Sequence, residues 1–341
     1  MPRGEPVTAT PPRSGAIDAV RVLGIAAVIA GHTWGIPLAR PLFYTWHVPL
    51  FFFLAGYFWS EHRSVGADLS KRAWTLAAPY LTWFVLIGLV SVPVQAIGGN
   101  FSVSRLFGPF INGEDSAMPY TTFWFVSALF ATIVLRRLLG FLPKAMAWVI
   151  AIGGGVAGVL LGPALAKSPL AIGSALGCLI FVLLGQLARN LHPRIARPGT
   201  VGLALLVASA VLVATGVSAP LDIKQGNYGT PGVSILVAAA ISFGLVLVSE
   251  PIFRHLPAAV HRGATILAFA GFAVVLVHPL VFWLMLKFTP WAGHWLIFAV
   301  TLTVSWCIGV AALRSPAARW LTGVDPTRVR ATVHPTRARA A

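Results

Sequence analysis

The chain has 341 residues, of which 57% are hydrophobic and only 10% are charged, and its mean hydropathy is +0.82. Soluble domains usually carry about a quarter charged residues, so this composition excludes a water-soluble globular protein. A net charge of +16 would suggest nucleic-acid binding in a soluble protein, whereas in a membrane protein it first indicates cations on the cytoplasmic side. Cys178 and Cys307 lie in separate apolar segments, so neither a disulfide framework nor a cysteine metal site is predicted.

Apolar runs of about 17–25 residues, each long enough to cross a bilayer, occur ten times. They predict spans at residues 17–36, 43–60, 73–98, 121–139, 144–161, 170–188, 199–218, 231–249, 264–286 and 292–313. The predicted fold class is an all-α polytopic membrane protein with about ten transmembrane helices. We divide the chain into an N-terminal tail (1–15), a membrane domain (16–313) and a basic tail (314–341), which has no apolar periodicity and is predicted to be disordered.

The distribution of cations predicts the orientation of these helices. If the N-terminus is cytoplasmic, 19 of the 25 Lys and Arg residues fall on the inner side, five on the outer side, and Arg21 inside the first span. This bias predicts that both termini are cytoplasmic in a multi-pass protein of the cytoplasmic (inner) membrane. The basic surplus is then explained by the lipid bilayer, and no nucleic-acid partner is predicted. Asp18 and Arg21 within the first span argue against a cleaved signal peptide.

Ionisable side chains within the spans are the first candidates for function, because charge in hydrocarbon is costly. Arg21 and His32 are eleven residues apart, about 1100° of helix rotation, so they share one helix face and are separated by about 16 Å along the axis. Taken alone, Arg21 is also explained by snorkelling with Asp18 as its i, i+3 partner, and His32 by burial against a neighbouring helix. Together they indicate a long thin ligand whose charged end lies at the inner face.

Two further histidines occur within predicted spans. His47 enters the second span from the outer side at about the depth of His32, so the two rings could meet, although an interfacial position beside Tyr44 and Trp46 is equally typical. Two imidazoles without a nearby thiolate or carboxylate make a poor metal site, and no metal is predicted. His278 precedes Pro279 in the ninth span, where a helix kink without chemistry is at least as well supported.

Polar residues outside the spans suggest where substrates bind. At the inner mouth of the third span, Lys71 and Arg72 could hold the phosphates of a nucleotide-bearing donor, although topology alone also explains them. On the outer side, the loops 98–120 and 219–229 combine hydrogen-bonding side chains with aromatics, which suits a sugar-like acceptor but equally suits ordinary turns. No Walker-type or dinucleotide-binding motif is present, so an ATP-driven function lacks support.

Four segments together resemble the acyltransferase-3 family of integral membrane acyltransferases, in particular its fucose 4-O-acetylase-like branch. Arg21 and His32 are similar to the family's first-helix R-X10-H pattern, and residues 43–57 to its second-helix HxPLFFxxSGY stretch. Residues 122–130 resemble its LWFLxxLF segment, and residues 276–280 its late hHPL segment. Two departures occur: Ala55 replaces the usual serine, and the inner loop before the third span lacks a clean R-x-x-R.

The resemblance implies transfer of an acyl group, most often acetyl, from acyl-CoA to a hydroxyl of an envelope carbohydrate or glycolipid. It makes acyl-CoA a donor substrate, with no tightly bound cofactor expected. We predict that His32 is the general base, because imidazole has a suitable ordinary pKa, and that His47 orients it or stabilises the oxyanion. Arg21 is predicted to be a third catalytic residue and, together with Lys71 and Arg72, to bind the donor. On the acceptor side we place Trp124, Asp222, Asn227 and His278.

A transporter is the competing class of function. In it, His32 and His47 would form a proton relay and the basic inner mouth would admit an anionic solute. The missing internal repeats and the four family-like segments count against it. A purely structural membrane protein leaves the shared face of Arg21 and His32 unexplained. The sequence does not name the acceptor or the acyl group, and it leaves open whether a covalent acyl-enzyme forms.

Overall fold

The chain is seen in a computed structural model that describes residues 15–61 and 63–333. Helices make up 79% of the structure, and the described residues contain no strand. This confirms the predicted all-α class. Residues 1–14 and 334–341, which hold most of the predicted N-terminal tail and the end of the basic tail, lie outside the described residues.

The described residues form fourteen α-helices. They are α1 (Gly15–Thr33), α2 (His47–Tyr57), α3 (Val65–Arg72), α4 (Ala78–Ile97), α5 (Val103–Ile111), α6 (Phe123–Leu138), α7 (Lys144–Ala166), α8 (Ser174–Leu191), α9 (Pro198–Ala214), α10 (Val233–Arg254), α11 (Ala258–Phe288), α12 (His294–Arg314), α13 (Ala318–Thr322) and α14 (Pro326–Val333). A π-helical segment, Ala73–Ala77, joins α3 to α4 without a break.

Eight helical segments of the described chain are long and apolar enough to cross a membrane, so the protein is a multi-pass membrane protein. Two of the ten predicted spans are shorter in the structure: α2 has 11 residues and α9 has 17. Because α2 and α9 are shorter, the total of ten transmembrane helices stays a prediction. The cytoplasmic placement of both termini stays a prediction as well. We use "inner" and "outer" for the two ends of the bundle that this predicted topology defines.

Helix α2 is short because other helices enclose it. It rises only about 16 Å, roughly half the thickness of the hydrocarbon core, and a π-helical segment with a proline, Arg40–Tyr44, precedes it. Leu50 and Phe52 are completely buried. Helix α8 crosses α2 where Gly56 and Gly185 allow backbones to touch, because a Cβ at either position would collide with a carbonyl of the other helix. The length of a helix that is enclosed by other helices need not match the thickness of the bilayer.

Four helices, α3, α5, α13 and α14, lie outside the spans predicted from the sequence. Helix α5 lies in the outer loop 98–120, and α13 and α14 occupy residues predicted to be disordered. Part of residues 318–333 is helical and packs on the bundle: Trp83 Nε1 donates a hydrogen bond of 2.7 Å to the Leu321 carbonyl, and Val329 packs with Phe269 and Leu313. Short amphipathic helices that bury only a few side chains give a weak signal in a composition dominated by Arg, Pro, Ala and Thr.

Candidate active site

A small cavity lies at the outer end of the bundle, between α1, α2, α6, α11 and the loop 219–230. Its volume is about 60 Å³, enough for a few water molecules or a small acyl group. Its walls combine histidines, aromatic rings and charged loop residues, namely Val28, His32, Tyr44, His47, Val48, Phe51, Thr122, Trp124, Phe125, Leu221, Asp222, Ile223, Lys224 and Val275.

His32 reaches this cavity from the last turn of α1. Its side chain is half-buried, and its ring has no hydrogen-bond partner among residues 15–61 and 63–333. The centroid of the ring lies 5.4 Å from that of His278, with the two planes tilted by 43°. A ring in this position has a nitrogen available to exchange a proton with a molecule in the cavity.

His278 lies behind His32 in the middle of α11 and is completely buried. Its Nδ1–H donates a hydrogen bond of 3.1 Å to the Val274 carbonyl, so the proton is on Nδ1 and Nε2 is an acceptor. That Nε2 has no partner among the described residues, an arrangement that is costly in a buried group. His278 does not line the cavity, so the structure places it against His32 and not in the predicted contact with a substrate.

His47 is the first residue of α2 and lines the same cavity as His32. Its Nδ1–H donates to the Phe43 carbonyl at 2.5 Å, which leaves Nε2 as an acceptor, and its ring packs edge-on against Tyr44. The structure thus brings together three histidines from three distant segments. Across the part of the chain that is described, no group of three or more His, Cys, Asp or Glu side chains is arranged to hold a metal ion.

Pro279 leads to a hydrogen bond that fixes part of the cavity wall. Proline has no N–H, so it leaves the carbonyl of Val275, four residues earlier, without its helical partner. The hydroxyl of Thr122 donates to this carbonyl at 2.9 Å. The bond joins the start of α6 to α11 beside the cavity, and it gives the proline a structural role that the sequence left open.

Lys224 and Asp222 form the outer roof of the cavity. Lys224 Nζ donates two hydrogen bonds of 2.7 Å, to the Ser116 carbonyl and to Thr121 Oγ1, and so ties the loop 219–230 to the outer end of α6. Burial lowers the pKa of Lys224, and nearby carboxylates, Asp222 first, partly oppose that shift. Asp222 accepts a hydrogen bond of 3.0 Å from Arg40. Sequence analysis missed Lys224, whose only signal was being the single cation of that loop.

The predicted acceptor residues Trp124 and Asn227 have different positions. Trp124 lines the cavity and is 5% exposed. Asn227 is exposed and lies outside the cavity: its side-chain oxygen accepts from the Gly229 N–H at 2.8 Å, and its backbone pairs with that of Asp222. Asn227 therefore closes the turn that presents Asp222, which is the ordinary loop role of asparagine.

Aromatic rings close the inner side of the cavity. Phe125 packs against both Phe51 and Phe52, with ring centroids 5.6 Å apart in each pair. Phe51 lies four residues after His47 on α2, one turn deeper into the bundle. Along α2, these rings therefore lie between the inner end of the bundle and His47.

Arg21 lies three turns of α1 toward the inner end from His32 and forms an ion pair with Asp18 at 2.8 Å. Its guanidinium also lies over the ring of Phe58, 4.9 Å from the centroid. Asp18 is almost fully buried, whereas the Arg21 side chain is 29% exposed. The i, i+3 partner expected from the sequence is thus present, and Arg21 retains an exposed face.

Lys71 and Arg72 belong to a larger inner cluster around Asp68. This buried carboxylate contacts Arg63 at 2.8 Å, Arg137 at 3.3 Å and Arg72 at 3.9 Å. Three guanidinium groups around one carboxylate leave a net charge of about +2 from these four side chains. Lys71 is exposed beside them. Sequence analysis predicted Lys71 and Arg72 as a pair because they are adjacent in the chain. Arg63 and Arg137 are brought to Asp68 only by the tertiary structure.

The fold and this site define a class: a multi-pass helical membrane protein with a histidine-lined cavity at one end and cation clusters at the other. In a comparison with protein families, the family model described as an acyltransferase domain, Acyl_transf_3, matches residues 14–314. The chain therefore belongs to the acyltransferase-3 family, a family of membrane acyltransferases. No curated protein and no solved structure matched the chain in the corresponding comparisons.

Proposed function

We propose that this protein transfers an acyl group, most often acetyl, from cytoplasmic acyl-CoA to a hydroxyl of an envelope carbohydrate or glycolipid, with His32 as general base. The observation that carries this proposal is the position of His32, which faces the cavity with a nitrogen that no described group occupies. The carbohydrate acceptor follows from the resemblance to the fucose 4-O-acetylase-like branch.

The proposed reaction is a single ester exchange. The acceptor hydroxyl oxygen bonds to the thioester carbonyl carbon while His32 takes the hydroxyl proton. The carbon–sulfur bond then breaks, and His32 returns the proton to the departing thiolate of coenzyme A. General base catalysis of this kind contributes about 10²- to 10⁴-fold to a rate. His47 lines the same cavity, and we assign it to orient His32 or to stabilise the oxyanion.

The ends of the bundle suit the two substrates. Arg21, Lys71 and Arg72 supply cations at the inner end, where the phosphates of acyl-CoA would bind. The axial rise of about 16 Å between Arg21 and His32 is comparable with the length of the pantetheine arm, which is about 15–20 Å when extended. Trp124 and Asp222 line the outer part of the cavity, where an aromatic face and a carboxylate suit a sugar.

Inverted membrane vesicles that contain the protein test this proposal directly. Acetyl-CoA with a radiolabelled acetyl group is added on the exposed cytoplasmic face, and label in the glycan and lipid fractions is measured. We expect transfer by the wild type and by His294→Ala, a variant of a histidine that does not line the cavity, and a loss of at least about 100-fold in His32→Ala. Uptake of a solute without acyl transfer, or full activity of His32→Ala, would contradict the proposal.

A further inference from the structure

A second, larger cavity lies at the inner end of the bundle, where α2, α6 and α8 end and α7 begins. Its volume of about 470 Å³ falls within the usual range of small-molecule pockets, about 300–1,000 Å³. Three cations, Arg136, Lys144 and Arg189, line it together with one acid, Glu61, so its lining carries a net charge of +2. Charge of this sign in a concave site favours an anionic ligand.

Several of these polar groups have hydrogen-bonding capacity that the protein does not use. Arg136 donates two hydrogen bonds to Gln186 Oε1, at 3.0 and 3.3 Å, which holds its guanidinium at the cavity wall. The Nε2 of the same Gln186 is buried and has no partner among the described residues. Lys144 is exposed and makes no ion pair or hydrogen bond within the described part of the chain. The cavity thus offers N–H donors to an acceptor-rich anion, of which phosphate is the commonest.

Trp59 lies in the wall of this cavity and contacts a cation of each site. The guanidinium of Arg136, which lines the cavity, lies 5.0 Å from its ring centroid, and that of Arg137, which also contacts Asp68, lies 4.0 Å from it. The two cation sites are therefore neighbours that share contact with one indole ring. Such a pair matches a ligand that carries two separate phosphate groups, as the nucleotide of coenzyme A does with its diphosphate and its ribose 3′-phosphate.

The distance to the histidine cavity also fits. Helix α2 lines both cavities, through His47 at its outer end and Gly56 near its inner end. Nine residues of α-helix rise about 14 Å, close to the reach of a pantetheine arm. Phe58, on which Arg21 lies, belongs to the inner cavity as well. A nucleotide bound there would place its thioester near His32.

We propose that this inner cavity, lined by Arg136, Lys144 and Arg189, binds the adenosine 3′-phosphate end of the acyl-CoA donor. The proposal rests on the proposed function, because it names the donor subsite of the same transfer. It assigns the nucleotide to the cavity because a volume of about 470 Å³ has room for the base, with Trp148 in its wall. The diphosphate is then left for the neighbouring cluster of Arg63, Arg72 and Arg137.

Binding of coenzyme A and of 3′-dephospho-coenzyme A tests the subsite without needing acyl transfer. Calorimetry on the purified full-length protein in phosphatidylcholine nanodiscs would compare the wild type, Lys144→Gln and Lys167→Gln, a matched control at the opposite, outer end of α7. Lys144 is exposed, so its substitution should not prevent folding. We expect Lys144→Gln to weaken coenzyme A about fivefold, to leave the dephospho form unchanged, and to remove the preference for the 3′-phosphate. Lys167→Gln should behave as the wild type.

Equal weakening of both ligands by Lys144→Gln, or no change in either, would overturn the assignment. A second arm repeats the titrations in nanodiscs that contain phosphatidylglycerol. Competition by this lipid that Lys144→Gln relieves would show that a lipid phosphate occupies the cavity, and would also overturn the assignment. The vesicle assay separates the two proposals, since 3′-phosphate discrimination with no acyl transfer would refute the enzyme function alone.

Discussion

Replacing Lys224 with Met should loosen the outer roof of the histidine cavity. The lysine ties its own loop, 219–230, to the loop before α6 by two hydrogen bonds of 2.7 Å, to the Ser116 carbonyl and to Thr121 Oγ1. Methionine has a similar length but no donor, so both acceptors lose their partner. Hydrogen bonds from a charged donor contribute about 1.5–3 kcal/mol each, and the recovered hydration of the lysine cancels part of that sum. We expect a net destabilisation of about 2–4 kcal/mol.

Thermal unfolding of the purified protein, followed by tryptophan fluorescence in detergent, measures this effect. Lys167→Met is the matched control, because Lys167 is exposed at the outer end of α7 and does not line the cavity. Lys224→Met should lower the midpoint by several degrees and the control should not. Equal midpoints for the two variants would refute the idea that Lys224 links the loops.

The buried position of Lys224 also predicts how the stability difference between the wild type and Lys224→Met changes with pH. Burial lowers the pKa of Lys224 below its ordinary value near 10.5. Between the lowered pKa and 10.5, the unfolded state binds more protons than the folded state, so stability gains a contribution that grows as pH rises. Lys224→Met lacks this contribution. The difference in stability between wild type and variant should therefore widen toward pH 10, and a difference that stays constant or narrows would contradict the assignment of burial as the cause.

Three further substitutions test the rest of the site. His278→Leu removes the buried acceptor nitrogen of the ring that packs beside His32, and should lower kcat by about tenfold with little change in KM. A change confined to KM would argue for a substrate contact instead. Phe51→Ala thins the aromatic barrier below the cavity and should raise hydrolysis of acetyl-CoA in the absence of acceptor, measured as free thiol; an unchanged rate would show that the donor enters elsewhere. Asp68→Asn removes the carboxylate that compensates three guanidinium groups, and should lower the free energy of unfolding by about 3–5 kcal/mol, measured as a lower unfolding midpoint. An unchanged midpoint would mean that water or lipid already screens these cations.

Much of the fold was predictable because hydrocarbon imposes strong local rules. Every backbone group must bond within its own helix, so length and hydropathy alone give the helices, and each predicted span has a helical counterpart in the structure. The rule fails at α2, where neighbouring helices replace lipid and the helix can be short. It fails again at α13 and α14, which lie beyond the last long apolar run and pack on it through a few side chains.

The shared face of Arg21 and His32 was likewise set by the sequence, because both residues belong to one helix whose periodicity fixes their relation. The contacts that these residues make with other segments could not be predicted from the sequence. His278 reaches His32 only because α11 packs along α1, Lys224 reaches the site through a turn of the loop 219–230, and Arg137 reaches Asp68 across 69 residues of chain. Local periodicity determined the membrane class, the helices and the shared face of Arg21 and His32. The cavity, its roof and the inner cation sites were decided by tertiary packing, since contacts between distant segments leave no periodic trace in a single sequence.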